Sequence, residues 1–131
     1  MTTKIPNSIF KKHQVIFAYQ FGSTITGHSN KKSDVDIAIY LPENMNKIDM
    51  FDHQLKLITE LENFYKKRVD LVILNKTLSL FFKYIILKEG KLIYNANIGK
   101  HADYFCKIFN LYFDYKPFQD QFNKHYVQRN I

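Results

Sequence analysis

The segment from Phe21 to Leu41, FGSTITGHSNKKSDVDIAIYL, holds the residues best suited to chemistry. Gly22-Ser23 is followed by ten residues and then by Asp34-Val35-Asp36. Glycine lets a chain turn sharply at a strand end and leaves room for a ligand. A helical turn starting there would aim free N–H groups and a positive dipole end at that ligand, which suits a phosphate. Ser23 adds a hydroxyl donor. Asp34 and Asp36, two apart on a strand, project to one face about 6–7 Å from each other along the backbone. Like charges held that close favour uptake of a proton unless a cation sits between them. Mg²⁺ fits that place, because it takes hard oxygen ligands and keeps positions for water and phosphate. Asp70 lies in a second apolar run, RVDLVIL (68–74). A carboxylate buried there needs a charge partner, and a metal shared with Asp34 and Asp36 would supply one. Three carboxylates around one or two Mg²⁺ ions suit in-line attack on a phosphoryl group. Taken singly, each piece also has a bland reading, since Asp-x-Asp is common on exposed turns and a lone strand aspartate is often an end cap. The ordered combination is what points to metal-dependent phosphoryl chemistry.

The elements that must position these residues follow from patterning. Residues 14–21 (QVIFAYQF) read as a buried strand ending at Gly22. Residues 24–30 read as a helical turn or loop. Residues 35–41 (VDIAIYL) form a second strand stopped by Pro42, with Val35, Ile37 and Ile39 facing a core opposite the acids. Between Met45 and Tyr65, the spacing of Ile48, Phe51, Leu55, Ile58, Leu61 and Tyr65 predicts an amphipathic helix with those residues inward. Residues 68–74 make a third strand, 78–87 a buried helix ending before Gly90, and 91–94 a short edge strand. Residues 100–129 read as helical with a break or kink at Pro117. Strands alternating with helices predict an α/β (α+β) domain with one small sheet flanked by helices and closed by C-terminal helices.

Composition bounds the answer. A chain of 131 residues has room for one domain and none for a second substrate domain of ordinary size. Hydrophobic residues at 46% and charged residues at 24% exclude general disorder. No stretch reaches the roughly 20 apolar residues of a membrane span, and the N-terminal residues lack the apolar core of a secretory signal. Cys106, the single cysteine, excludes an internal disulfide and suits a reducing, cytoplasmic setting. Lys+Arg number 19 against 12 Asp+Glu, a formal charge of +7, which permits a polyanionic partner. Only Arg68 and Arg129 are arginine. Arginine makes most bidentate base contacts, so DNA sequence recognition is not expected.

The ordered motif resembles the signature of the DNA polymerase beta-like nucleotidyltransferase superfamily, and within it the minimal nucleotidyltransferases, or MNT proteins. Their Gly-Ser, ten-residue gap, Asp-x-Asp and later strand Asp correspond here to Gly22, Ser23, Asp34, Asp36 and Asp70. Gly27 and Ser33 match small residues of the same pattern. The similarity spans residues 10–95 as a core, within a single domain of residues 1–131 whose helical tail is 100–129. That tail (DYFCKIFNLYFDYKPF) resembles those of MNT antitoxins less specifically. The resemblance implies a nucleotidyltransferase fold, a mixed sheet with helices on one side. It implies transfer of AMP from ATP with two Mg²⁺ ions on Asp34 and Asp36, Asp70 binding the second metal and helping deprotonate the acceptor, and Gly22 and Ser23 cradling the β,γ-phosphates. It also implies an antitoxin role, with a tyrosine of a cognate HEPN ribonuclease toxin as acceptor and a hetero-oligomer with that toxin. The HEPN motif itself, an Arg followed by His-x-Tyr, is absent, so the chain resembles the transferase member of such a pair. Many relatives carry arginines just after Gly-Ser, where this chain has Thr24, Ile25 and Thr26. Two alternatives follow: an antitoxin that neutralises by binding with weak or no catalysis, or a transferase acting on an aminoglycoside-type small molecule.

The five histidines show no zinc-ligand spacing and read as surface residues. Cys106 reads as buried packing in an aromatic helix. Tyr104, Phe105, Ile108, Tyr112, Tyr115, Phe118, Phe122 and Tyr126 form a stripe that either completes the core or docks a partner.

Overall fold

A computed structural model describes residues 6–22 and 34–129, with side chains described as far as Asp114. Among these residues four helices and four strands succeed one another: α1 (Asn7–Lys12), β1 (Phe17–Phe21), β2 (Val35–Tyr40), α2 (Lys47–Tyr65), β3 (Val69–Ile73), α3 (Leu80–Glu89), β4 (Lys91–Asn95) and α4 (Ile98–Arg129), with a 3-10 turn at Leu74–Lys76. The expected turn over 24–30 lies outside the described residues.

The strands form one mixed sheet in the order β3-β2-β1-β4. β2 runs antiparallel to β1 and parallel to β3, and β1 runs antiparallel to β4. The period of two splits the strands into two apolar faces. Val35, Ile37 and Ile39 of β2 join Ala18, Val69, Leu71, Ile73 and Ile93 beneath α1 and α2. Phe17, Tyr19, Ala38 and Tyr40 pack on the other face against α3 and α4. Helices therefore cover both faces, where the resemblance implied one side only. The cause is that β2 is apolar on both faces except at its acid-bearing start.

Helix α2 turns only the second half of the expected stripe inward, joined by Met50 and Leu57. Met50, Leu57 and Leu61 are buried, with Ile58 and Tyr65 partly so, whereas Ile48, Phe51 and Leu55 are exposed. Polar stitches fix that phase: Gln54 Nε2 donates to the Leu71 carbonyl at 3.0 Å, and Glu62 Oε2 accepts from the Val69 N–H at 3.1 Å. The helix starts on Asn46, whose side chain accepts from the Asp49 N–H. At the other end of β2, Asn75 bonds both the N–H and the carbonyl of Leu41, at 2.9 and 2.7 Å, as a third strand residue would.

Helix α1 had no expected counterpart. It seats Phe10 in the core and leads to His13, which is buried rather than on the surface. His13 Nε2 meets Glu60 Oε2 at 2.6 Å and its Nδ1 meets His53 Nδ1 at 2.9 Å, clasping α1 to α2. Helix α4 continues through Pro117 to Arg129 instead of breaking there. Its first half buries Tyr104 and Ile108 against the sheet and stacks Tyr112 on Tyr84 with ring centres 3.8 Å apart, while Leu111 and Phe113 stay exposed. The stripe's first half thus completes the core. Cys106 is exposed, on the side of α4 away from that contact.

Candidate active site

The parallel ladder places Asp36 of β2 directly beside Asp70 of β3. Neighbouring strands lie about 4.8 Å apart and paired residues share a face, so these two carboxylates stand side by side. Asp34 immediately precedes β2, two residues before Asp36 and exposed. On the other flank, Phe21 of β1 pairs with Asp36 in the antiparallel register, and the chain then turns at Gly22. Gly22 has φ +84°, a region that favours glycine. A Cβ placed on Gly22 would lie 2.1 Å from Asp36 Oδ2, so the missing side chain is the space the carboxylate uses. Asp36 is half-buried, and Asp70 is exposed at the sheet edge rather than enclosed in an apolar strand.

Burial first, and then the charges of Asp70 and Asp34, push the Asp36 carboxyl above the ordinary aspartate value. Asp36 thus stands in the negative field of both neighbouring acids. Among the described residues, no ion pair involves any of them. No group of three or more His, Cys, Asp or Glu side chains among the described residues closes on one point as a finished metal cage. The donor set is nevertheless one that a hard divalent cation suits: carboxylate oxygens, mutually repelling, with no described cation to balance them.

Of the residues singled out in the sequence, the structure gathers Gly22, Asp34, Asp36 and Asp70 at one end of the sheet. Ser23, Gly27, His28 and Ser33 lie outside the described residues. One wall was missed. Phe82 of α3 packs edge-on against Phe21, ring centres 5.7 Å apart, and covers the sheet beside Asp36. Phe82 is one aromatic among many, and nothing in the local pattern marks it.

Residues 4–98 match the family described as Polymerase beta, Nucleotidyltransferase. The chain belongs to that family. A search of curated proteins returned no match. Among solved structures, a chain from a crystal structure of a toxin-antitoxin with AMP-PNP is similar at 19% identity, with 92% of this chain and 94% of that one covered and a TM-score of 0.71. A chain of the Shewanella oneidensis complex of tri-AMPylated HEPN toxin with MNT antitoxin is similar at 17% identity, covering 92% and 91%, with a TM-score of 0.65. A third, from a toxin-antitoxin MntA-HepT crystal structure, matches at 17% identity, covering 92% of each chain, with a TM-score of 0.65. At such identities the likeness is one of fold, and that fold is the mixed sheet with flanking helices described above. No helix among the described residues is long and apolar enough to cross a membrane.

Proposed function

We propose that this protein is a Mg²⁺-dependent nucleotidyltransferase that moves AMP from ATP to a protein hydroxyl, a tyrosine of a cognate HEPN toxin, and thereby acts as an antitoxin. The observation that carries the reading is the pairing of Asp36 with Asp70 beside the Gly22 turn, with the charge of Asp34 added. Family membership supports transferase chemistry. AMP-PNP in one structural neighbour and an AMPylated HEPN toxin in another support the nucleotide and the acceptor.

In this reading Asp34 and Asp36 would hold the divalent cations and Asp70 would bind the second. Bound Mg²⁺ would neutralise phosphate oxygens and act as a Lewis acid. Gly22 and Ser23 receive the β- and γ-phosphates, the glycine because no side chain blocks their approach. The acceptor hydroxyl attacks the α-phosphorus, its proton passes to Asp70, and pyrophosphate leaves. AMP on the toxin adds negative charge and bulk where RNA would bind. Residues 10–95 form the catalytic core, and the helical tail meets the toxin.

Incubation with α-labelled ATP and a HEPN partner tests this. Label is expected on the partner, dependent on Mg²⁺ and lost in Asp36→Ala. Absence of label with the unaltered protein, or label undiminished in Asp36→Ala, would remove the proposal. Thr24, Ile25 and Thr26, standing where many relatives carry arginine, favour a second reading: neutralisation by binding alone. Toxin protection that survives loss of both Asp34 and Asp36 would select it.

A further inference from the structure

Two adjoining cavities open at the Tyr40 end of β2, four residues along the strand from Asp36 and so about 13 Å away. Their volumes are about 370 and 310 Å³. They share Tyr40, Glu43, Tyr104 and Lys107. Lys47 at the start of α2, Lys76 in the 3-10 turn, Lys83 in the first turn of α3, and Lys100 and Lys107 of α4 line one or the other. Five lysines from four separate elements thus meet two carboxylates, Glu43 and Asp103. Among the described residues none of the five takes part in an ion pair.

Two independent features set this place apart from a solvated lysine surface. Burial, and then the charge of Lys107, push the Lys83 ammonium below its ordinary value, so two like charges stand close together at this place. Tyr104, 8% exposed, lines both cavities, and its hydroxyl is buried without a hydrogen-bond partner. Tyr40 beside it already donates to Glu43. A buried hydroxyl left unpaired costs free energy, which a ligand oxygen would recover once the ring shifts to uncover that atom.

We propose that these adjoining cavities form a second anion site that takes a polyphosphate chain, free or carried by a nucleotide, separate from the carboxylate site. An excess of three positive charges spread across two adjoining cavities suits an extended, multiply charged anion better than one phosphate. Lysines recognise phosphate as point charges and without base selectivity.

The test is calorimetric titration of the full chain, in Mg²⁺-free buffer, with inorganic tripolyphosphate and separately with ATP. Both should bind, more weakly as salt is raised. Equal affinities would assign recognition to the phosphates alone, and tighter ATP binding would add a nucleoside contact. Lys83→Gln/Lys107→Gln should weaken tripolyphosphate binding at least tenfold, whereas Lys83→Arg/Lys107→Arg, Lys91→Gln and Asp36→Asn should retain it. Tyr104→Phe should weaken binding several-fold while raising the melting temperature of the free protein; a higher melting temperature with unchanged affinity would contradict a role for the hydroxyl in the site. No binding at millimolar tripolyphosphate, binding unchanged in the double glutamine variant, or binding lost in Asp36→Asn would overturn the proposal. So would capture of an RNA oligonucleotide without capture of tripolyphosphate. None of these readouts depends on nucleotidyl transfer, so the site stands or falls apart from the proposed function.

Discussion

Gly22 and Asp36 compete for one volume, and only the absence of a side chain on Gly22 lets the carboxylate occupy it. Gly22→Ala would place a Cβ against Asp36 Oδ2 at a positive φ, a backbone region costing an L-residue about 1–2 kcal/mol. We expect denaturant unfolding to show a loss of that order, and transfer to fall more than tenfold because Asp36 is displaced. Asp36→Asn removes a different quantity. Below the ordinary aspartate value Asp36 is protonated whether folded or not; as pH rises through its raised value, ionisation in the fold works against stability. Metal-free Asp36→Asn should therefore melt above the unaltered protein at pH 7, and the difference should vanish at low pH. Mg²⁺ should raise the melting temperature of the unaltered protein and leave that of the asparagine variant unmoved. The acidic trio was legible because strand period and chain order alone put Asp34 and Asp36 on one face and Asp70 in a neighbouring strand. The exposure of Asp70 was not legible, because β3 proved to be an edge strand, and edge position depends on pairings across the whole chain.

At the scale of elements, α2 shows where periodicity alone falls short. Ile48, Phe51 and Leu55 and, on another side, Met50, Leu57 and Leu61 both keep helical spacing, and only the contact with β3 decides between them. Leu57→Ala should cost about 2–5 kcal/mol through a buried cavity, whereas Ile48→Ala, on a side chain 81% exposed, should change stability by less than about 0.5 kcal/mol. Chemical denaturation of the two variants checks the phase. The clasp between α1 and α2 makes a pH-dependent prediction. A hydrogen bond from Lys12, and then His13, hold the Glu60 carboxyl below its ordinary value. The stabilisation is present above the ordinary glutamate range and is lost as pH falls through the lowered value. Glu60→Gln should therefore melt below the unaltered protein at pH 7, by a margin that shrinks toward pH 3. Neither α1 nor its clasp was legible, since a six-residue helix with no side-chain cap leaves no pattern and the partners of His13 lie 40 and 47 residues away. At Pro117 the break, one of the two outcomes the sequence offered, did not occur: proline removes one backbone donor, and a long helix can lose one bond without ending.

Across the whole molecule, a four-stranded sheet covered on both faces puts opposite charges at its two ends. Carboxylates gather at the Asp36 end of β2 and lysines at the Tyr40 end. The alternation of strands and helices made the fold class readable, while the assignment of helices to faces required the sheet order. Aromatic residues fill the α3–α4 face, and Leu111 and Phe113 remain uncovered on α4. The proposed function requires Asp34, Asp36 and Asp70 together to hold a divalent cation beside a nucleotide. The most direct check is an NMR titration with Mn²⁺ in the presence of a non-hydrolysable ATP analogue, following paramagnetic broadening of assigned amides. Gly22, Asp36 and Asp70 are expected to broaden first, and Asp36→Asn to abolish the effect. Broadening that begins elsewhere, or that persists unchanged in the asparagine variant, would contradict it.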